Sequence, residues 1–122
     1  MINIVFKRKN DMLVSFIIKG HADRKAKSSE KNYDNYDSET DMIYDDVVCG
    51  AVSLLGQVCL IGIEEVIKLK VDCTVEEGYI ALSLENLTSS EIEKTKVLME
   101  TTLLGLKNLQ LTYGEYIKLE EV

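Results

Sequence analysis

Apolar and polar positions alternate along the first twenty residues of this chain. Ile2, Ile4 and Phe6 fall on one side of a first run, and Val14, Phe16 and Ile18 share one side of a second. A period of two is the mark of a half-buried strand, and the polar Lys9-Asn10-Asp11 between the runs predicts a tight hairpin turn. The pattern returns later. Val71, Cys73 and Val75 alternate with Asp72, Thr74 and Glu76; beyond Glu77-Gly78, Ile80, Leu82 and Leu84 alternate with Ala81, Ser83 and Glu85. These runs predict a second hairpin. Between the hairpins, about Asp46 to Lys70 reads as a helix, apolar almost all round through Ile63 and narrowing to Val66, Ile67 and Leu69. Asp45 or Asp46 is available as its N-cap. Ser90-x-x-Glu93 has the form of a capping box and opens a second helix to about Asn108, with Ile92, Met99, Leu103 and Leu106 on one face. Leu111 to Leu119 closes the chain as a strand, with Tyr113 and Ile117 among its apolar positions. The order β-β-α-β-β-α-β predicts a single α+β domain over residues 1–122, its two helices packed on an antiparallel-rich sheet.

One stretch breaks the pattern. Ala22 to Tyr44 is rich in Lys, Ser, Asn, Asp and Tyr and follows neither period. A connection this long inside a compact domain is usually functional or disordered, so a long mobile loop is expected at about 22–44.

Composition narrows the class. At 122 residues the chain can bury a core of its own, and 46% hydrophobic with 29% charged residues is ordinary for a soluble protein. A net charge of −7 argues against direct nucleic-acid binding, which calls for a surplus of Lys and Arg. It suits encounter with basic partners instead. Cys49, Cys59 and Cys73 fit neither a zinc-ligand spacing nor a disulfide framework, and no basic-then-apolar leader precedes the first strand. A reducing cytoplasm is the expected compartment. Val47 to Ile63 is marginal as a membrane span, with only Ser53 and Gln57 as polar members. Its acidic flanks, Asp45-Asp46 and Glu64-Glu65, lack the Lys/Arg bias of a membrane orientation. A buried core helix that also faces a second subunit is the expectation, with no membrane partner.

The candidate chemistry lies in Gly20-His21-Ala22 and in Cys49. The chain has one histidine, placed at a strand end, and one cysteine that the pattern puts in the first turn of a long helix. Unpaired backbone N–H groups at a helix start favour a thiolate there. They can also hold the oxyanion of a tetrahedral intermediate, which makes the N–H groups of Cys49 and Gly50 the candidate donors. His21 would act as base and then as acid. Cys59, mid-helix, and Cys73, on the apolar side of a strand, read as small hydrophobes.

Gly20-His21-Ala22, followed by a variable loop and then Asp46-Val47-Val48-Cys49-Gly50-Ala51-Val52-Ser53, resembles the signature of the ribosomal-processing cysteine proteases called Prp. The similarity in size and element order extends it over nearly the whole chain. The resemblance implies a bacterial endopeptidase that trims an N-terminal extension from ribosomal protein L twenty-seven, working as a homodimer without metal or organic cofactor. It implies Cys49 as nucleophile and His21 as general base and acid. Asp46 matches the family aspartate, as an N-cap or as an orienter of the imidazole. Ser53 matches the family serine one helical turn after the nucleophile; it could bond substrate, hold Asp46 or bond back to a helix carbonyl. The connection from Ala22 through Val48 is longer than the family's, and Gly50 stands where alanine is commoner. The acidic excess between Asp23 and Asp46 suits a lid over a cationic peptide. Two other readings compete: a non-catalytic ribosome-associated module that binds a basic tail, and a thiol redox enzyme. Against the latter, Cys59 lies about 15 Å along the helix from Cys49.

Overall fold

The computed structural model describes residues 1–21 and 38–122, with 38–46 described by their backbone alone. Strand β1 (Ile2–Lys9) turns through Asn10 and Asp11, both in the left-handed region at φ 52° and 68°, into β2 (Met12–Gly20). Two left-handed central residues make the turn whose twist matches that of paired strands. Helix α1 (Ser38–Ile61) follows, then β3 (Asp72–Glu76) and β4 (Tyr79–Ser83). The chain ends with α2 (Ser89–Lys94), α3 (Lys96–Thr112) and β5 (Ile117–Glu121). The sheet order is β3-β4-β2-β1-β5; all neighbours are antiparallel except β1 and β5. This is the expected α+β architecture with an antiparallel-rich sheet.

The inner face of the sheet carries the predicted apolar set. Ile2, Ile4, Phe6, Phe16, Ile18, Ile80, Leu82 and Ile117 are buried, and the rings of Phe6 and Phe16 lie 5.2 Å apart. Helix α1 covers them with Val48, Val52, Cys59 and Leu60, and α3 with Met99, Leu103 and Leu106. A Cβ on Gly56 would come within 2.9 Å of Ile18 Cδ1, so the helix lies close against β2 and β4 there. By length and composition Val47–Val66 could cross a membrane, with a mean hydropathy of 1.9; here one side of it belongs to the core.

Several boundaries differ from expectation. Helix α1 begins at Ser38, well before Asp46, so the part of the expected loop from 38 to 44 is helical. Ser38 to Asp45 has no apolar period, and period is a signal of burial rather than of helix formation. The rest of the expected loop, 22–37, lies outside the described residues. At the other end α1 stops at Ile61 rather than near Lys70. It closes in a wider turn over Gly62–Val66, where the Ile67 N–H donates to the Gly62 carbonyl at 2.9 Å. Lys68, at φ 64°, then reverses the chain toward β3.

The capping box also sits two residues earlier than Ser90-x-x-Glu93. The Glu91 N–H donates to Thr88 Oγ1 at 3.2 Å, and the Thr88 N–H donates to Glu91 Oε1 at 3.0 Å. Thr95, buried, separates α2 from α3. Leu111, expected to open the last strand, is still helical and highly exposed. No glycine or proline stops the helix before Gly114, so β5 starts only at Ile117.

Strand β5 and helix α3 are tied to β1 by a charged network. Arg8 donates to both carboxylate oxygens of Glu100 at 2.7 and 2.9 Å and, through Nε, to Glu121 at 3.2 Å. Lys107 also donates to Glu121, at 2.8 Å. The Arg8 hydrogen bonds hold the Glu100 carboxyl below its ordinary value, and those from Lys107 and then Arg8 do the same for Glu121. A carboxylate with a lowered folded pKa stabilises the fold above the unfolded value and loses that contribution as pH falls through the folded one. Glu100→Gln should therefore cost about 1 kcal/mol at neutral pH. In urea unfolding the gap from the unaltered protein should be full above the ordinary carboxylate pKa and narrow as pH falls below it.

Candidate active site

His21 follows directly on β2, at a junction that only small residues can build. Gly20 adopts φ 106°, and a Cβ on it would collide with the Met1 carbonyl oxygen. Its N–H donates to the carbonyl of Gly78 at 2.9 Å, which joins the end of β2 to the β3–β4 turn. Gly78, at φ 70°, lies under the imidazole: a Cβ there would sit 3.0 Å from His21 Nε2. The His21 carbonyl accepts from the Met1 ammonium at 2.7 Å. Two left-handed glycines and an antiparallel pairing thus place the only histidine beside a tight turn.

Cys49 comes from the opposite wall. It is half-buried on α1 and lines, with His21, a cavity of about 610 Å³ between that helix and the β3–β4 hairpin. Gly50, Val52, Ser53 and Gln57 continue the helical wall, and Val75 to Ile80 form the other. The structure therefore gathers His21, Cys49, Gly50 and Ser53 around one groove. The Asp46 side chain lies outside the described residues, but its backbone is within α1.

The longer helix changes the chemistry open to Cys49. Asp46 stands inside the helix, so it is not an N-cap. The N–H groups of Cys49 and Gly50, expected as oxyanion donors, are not among the unpaired ones at the helix start. Those belong to the first turn after Ser38. Inside a helix the N–H is spent on the carbonyl four residues back. Cys49 stands about three turns from Ser38, beyond the first turn in which the field of a helix end acts.

Ser53, one turn beyond Cys49, has its Oγ accepting from Gln57 Nε2 at 2.8 Å. Gln57 was not among the expected site residues, nor were Gly78 and Tyr79 on the facing hairpin. Gln57 was legible in principle, since it and Ser53 are the only polar interruptions of the Val47–Ile63 run.

The other two cysteines divide. Cys59 is fully buried beside Met99, as expected, and burial pushes its thiol up. Cys73 is exposed, against expectation. It does pair opposite buried Leu82, but β3 is an edge strand whose five residues all face solvent. Partial desolvation, then the charge of Glu64 with an oxygen 3.7 Å away, raises its pKa.

Known proteins share this fold. The model of the family described as cysteine protease Prp matches residues 1–118. Among solved structures, SMU.848 from Streptococcus mutans is 26% identical with a TM-score of 0.76, over 100% of this chain and 94% of the other. The ribosomal processing protease Prp of Staphylococcus aureus, solved with a substrate peptide and with a covalently linked product peptide, shares the fold at TM-score 0.72. It is 16% identical over 100% of both chains. No curated protein matches. The chain belongs to the Prp family of cysteine proteases, and the readings as a binding module or a redox enzyme give way to that of a cysteine endopeptidase.

The junction of Gly20, His21 and Gly78 yields a direct test. Gly78→Ala adds a Cβ against the imidazole and a left-handed strain of about 1 kcal/mol. Peptide cleavage should fall at least tenfold while the protein stays folded by circular dichroism.

Proposed function

We propose, with membership of the Prp cysteine proteases as the premise, that this chain removes an N-terminal extension from ribosomal protein L twenty-seven in the cytoplasm, where its thiols stay reduced. The observation that carries this reading is the shared groove: the only histidine and a half-buried cysteine line one cavity from opposite walls. A cavity of about 610 Å³ accommodates several side chains of an extended peptide. The covalently linked product peptide on the Staphylococcus aureus relative is what a covalent nucleophile would leave.

In the proposed reaction the Cys49 thiolate attacks the scissile carbonyl carbon and forms a C–S bond. His21 holds the proton taken from the thiol and passes it to the leaving amine as the C–N bond breaks. A water deprotonated by His21 then hydrolyses the thioester and frees the acid and Cys49. The scheme requires no metal or cofactor. Ser53 supplies the oxyanion donor that the helix main chain cannot. Its oxygen accepts from Gln57, so its own proton remains to be donated. Asp46, one turn before Cys49, acts as orienter of the imidazole.

The dimer is part of this proposal. Val47, Leu54, Val58 and Ile61 recur at helical spacing along α1 and are each about half exposed or more. Such a stripe, continuous with a core helix, fits a second copy of the chain laid against the first. No direct nucleic-acid contact is invoked.

Cys49→Ala and His21→Ala should fold normally and lose cleavage of a peptide spanning the L twenty-seven extension by at least about a thousandfold. Retained cleavage by Cys49→Ala would refute the mechanism. Light scattering should give a dimer for the unaltered chain and a monomer for Leu54→Glu.

A further inference from the structure

We infer that Gln57 is a substrate-binding residue, its side-chain amide hydrogen-bonding the main chain of the bound peptide two to three residues from the scissile bond. This deepens the protease reading above and rests on it. Three groove residues of α1, Cys49, Ser53 and Gln57, lie four apart in sequence and so climb one side of the helix. Ser53 is four positions beyond Cys49, about 6 Å along the axis, and the Gln57 amide reaches back to within 2.8 Å of Ser53 Oγ, so it stands about 6 to 9 Å along the axis from Cys49. An extended chain advances about 3.3 Å per residue, so that distance is two to three residues of peptide.

The polarity of α1 is distributed in the same sense. Leu54, Val58 and Ile61, the positions assigned above to a second copy, are apolar, whereas both polar members of the Val47–Ile63 run, Ser53 and Gln57, line the groove. Within that run, polar groups are thus kept where a peptide would lie. The bond from Gln57 Nε2 to Ser53 Oγ, 2.8 Å, fixes the amide along the groove wall and aims it toward Cys49. It uses one of the two amide N–H groups. Among the described residues, the other N–H and the Oε1 acceptor remain for a partner. An extended main chain offers one donor and one acceptor at each residue, the complement of a carboxamide. The facing wall, with Val75, Tyr79 and Ile80, supplies apolar contact for the alternate side chains.

Gln57→Met is the test, because it keeps length and helix propensity while deleting the polar atoms. Two fluorescent peptides from the L twenty-seven cleavage site serve as probes. The long one reaches about five residues on both sides of the cut, and the short one about one. In the Cys49→Ala background, anisotropy should show Gln57→Met weakening the long peptide about five- to tenfold. Binding of the short one should not change. With Cys49 present, KM for the long peptide should rise by the same factor, more than kcat falls. A long peptide bound equally with and without Gln57 overturns the assignment, and unimpaired cleavage by the unaltered protein would then leave the protease reading standing. Equal losses on both peptides, or a loss in kcat alone, also overturn it, because Gln57 would then act only through Ser53. If the unaltered protein neither binds nor cuts either peptide, both readings fall.

Discussion

The burial of one side of α1 against β2 and β4 is the constraint on which the rest depends. Val48, Val52, Cys59 and Leu60 are anchored in the core, and Gly56 lets the helix settle onto Ile18 and Ile80. With that side committed, the flanking side of the helix must overhang the sheet. The β3–β4 hairpin extends beyond the helix as an exposed edge, and the space between them is the groove. Cys49 is neighbour to a fully buried valine on either wing of its turn, Val48 and Val52. Its position is therefore inherited from packing rather than from the loop before it. His21 is fixed independently, by the end of β2 and its bond to the β3–β4 turn. Two rigid elements thus present the two groups to one cavity.

Much of this was legible in the residues because burial leaves a period. Ile2-Ile4-Phe6 and Ile80-Leu82-Leu84 announced the inner face, and Met99-Leu103-Leu106 the helix above it; every one of these is buried. A helical stretch without that period leaves no such trace. The first turns of α1 carry polar residues, so the helix seemed to begin where its apolar run begins. That single displacement carried the oxyanion assignment with it, since a cysteine read as helix-initial is in fact helix-internal. Cys73 shows the complementary limit. Its alternation gave the correct face of the strand, but at the sheet edge that face stays exposed beside the charged Glu64.

Family and groove agree on the class of chemistry while differing on its supporting parts. A cysteine protease needs a nucleophile, a proton carrier and a donor for the developing oxyanion. The groove brings the first two together on its opposite walls. With the helix start moved away from Cys49, the proposed reaction gives the third role to Ser53, which with Gln57 makes up the polar positions of the otherwise apolar Val47–Ile63 run. In that proposal the helix that seals the core also carries the nucleophile, the donor beside it and the stripe assigned to a second copy.

The most direct test of the joint action of Cys49 and His21 is the capture of the covalent intermediate. The unaltered protein, mixed with peptide and acid-quenched on the millisecond-to-second scale, would be digested and read by mass spectrometry. The account predicts a thioester on Cys49 that forms before the second product appears, and that is lost in His21→Ala. Peptide cleavage at the normal rate with no adduct on Cys49 at any time would contradict it.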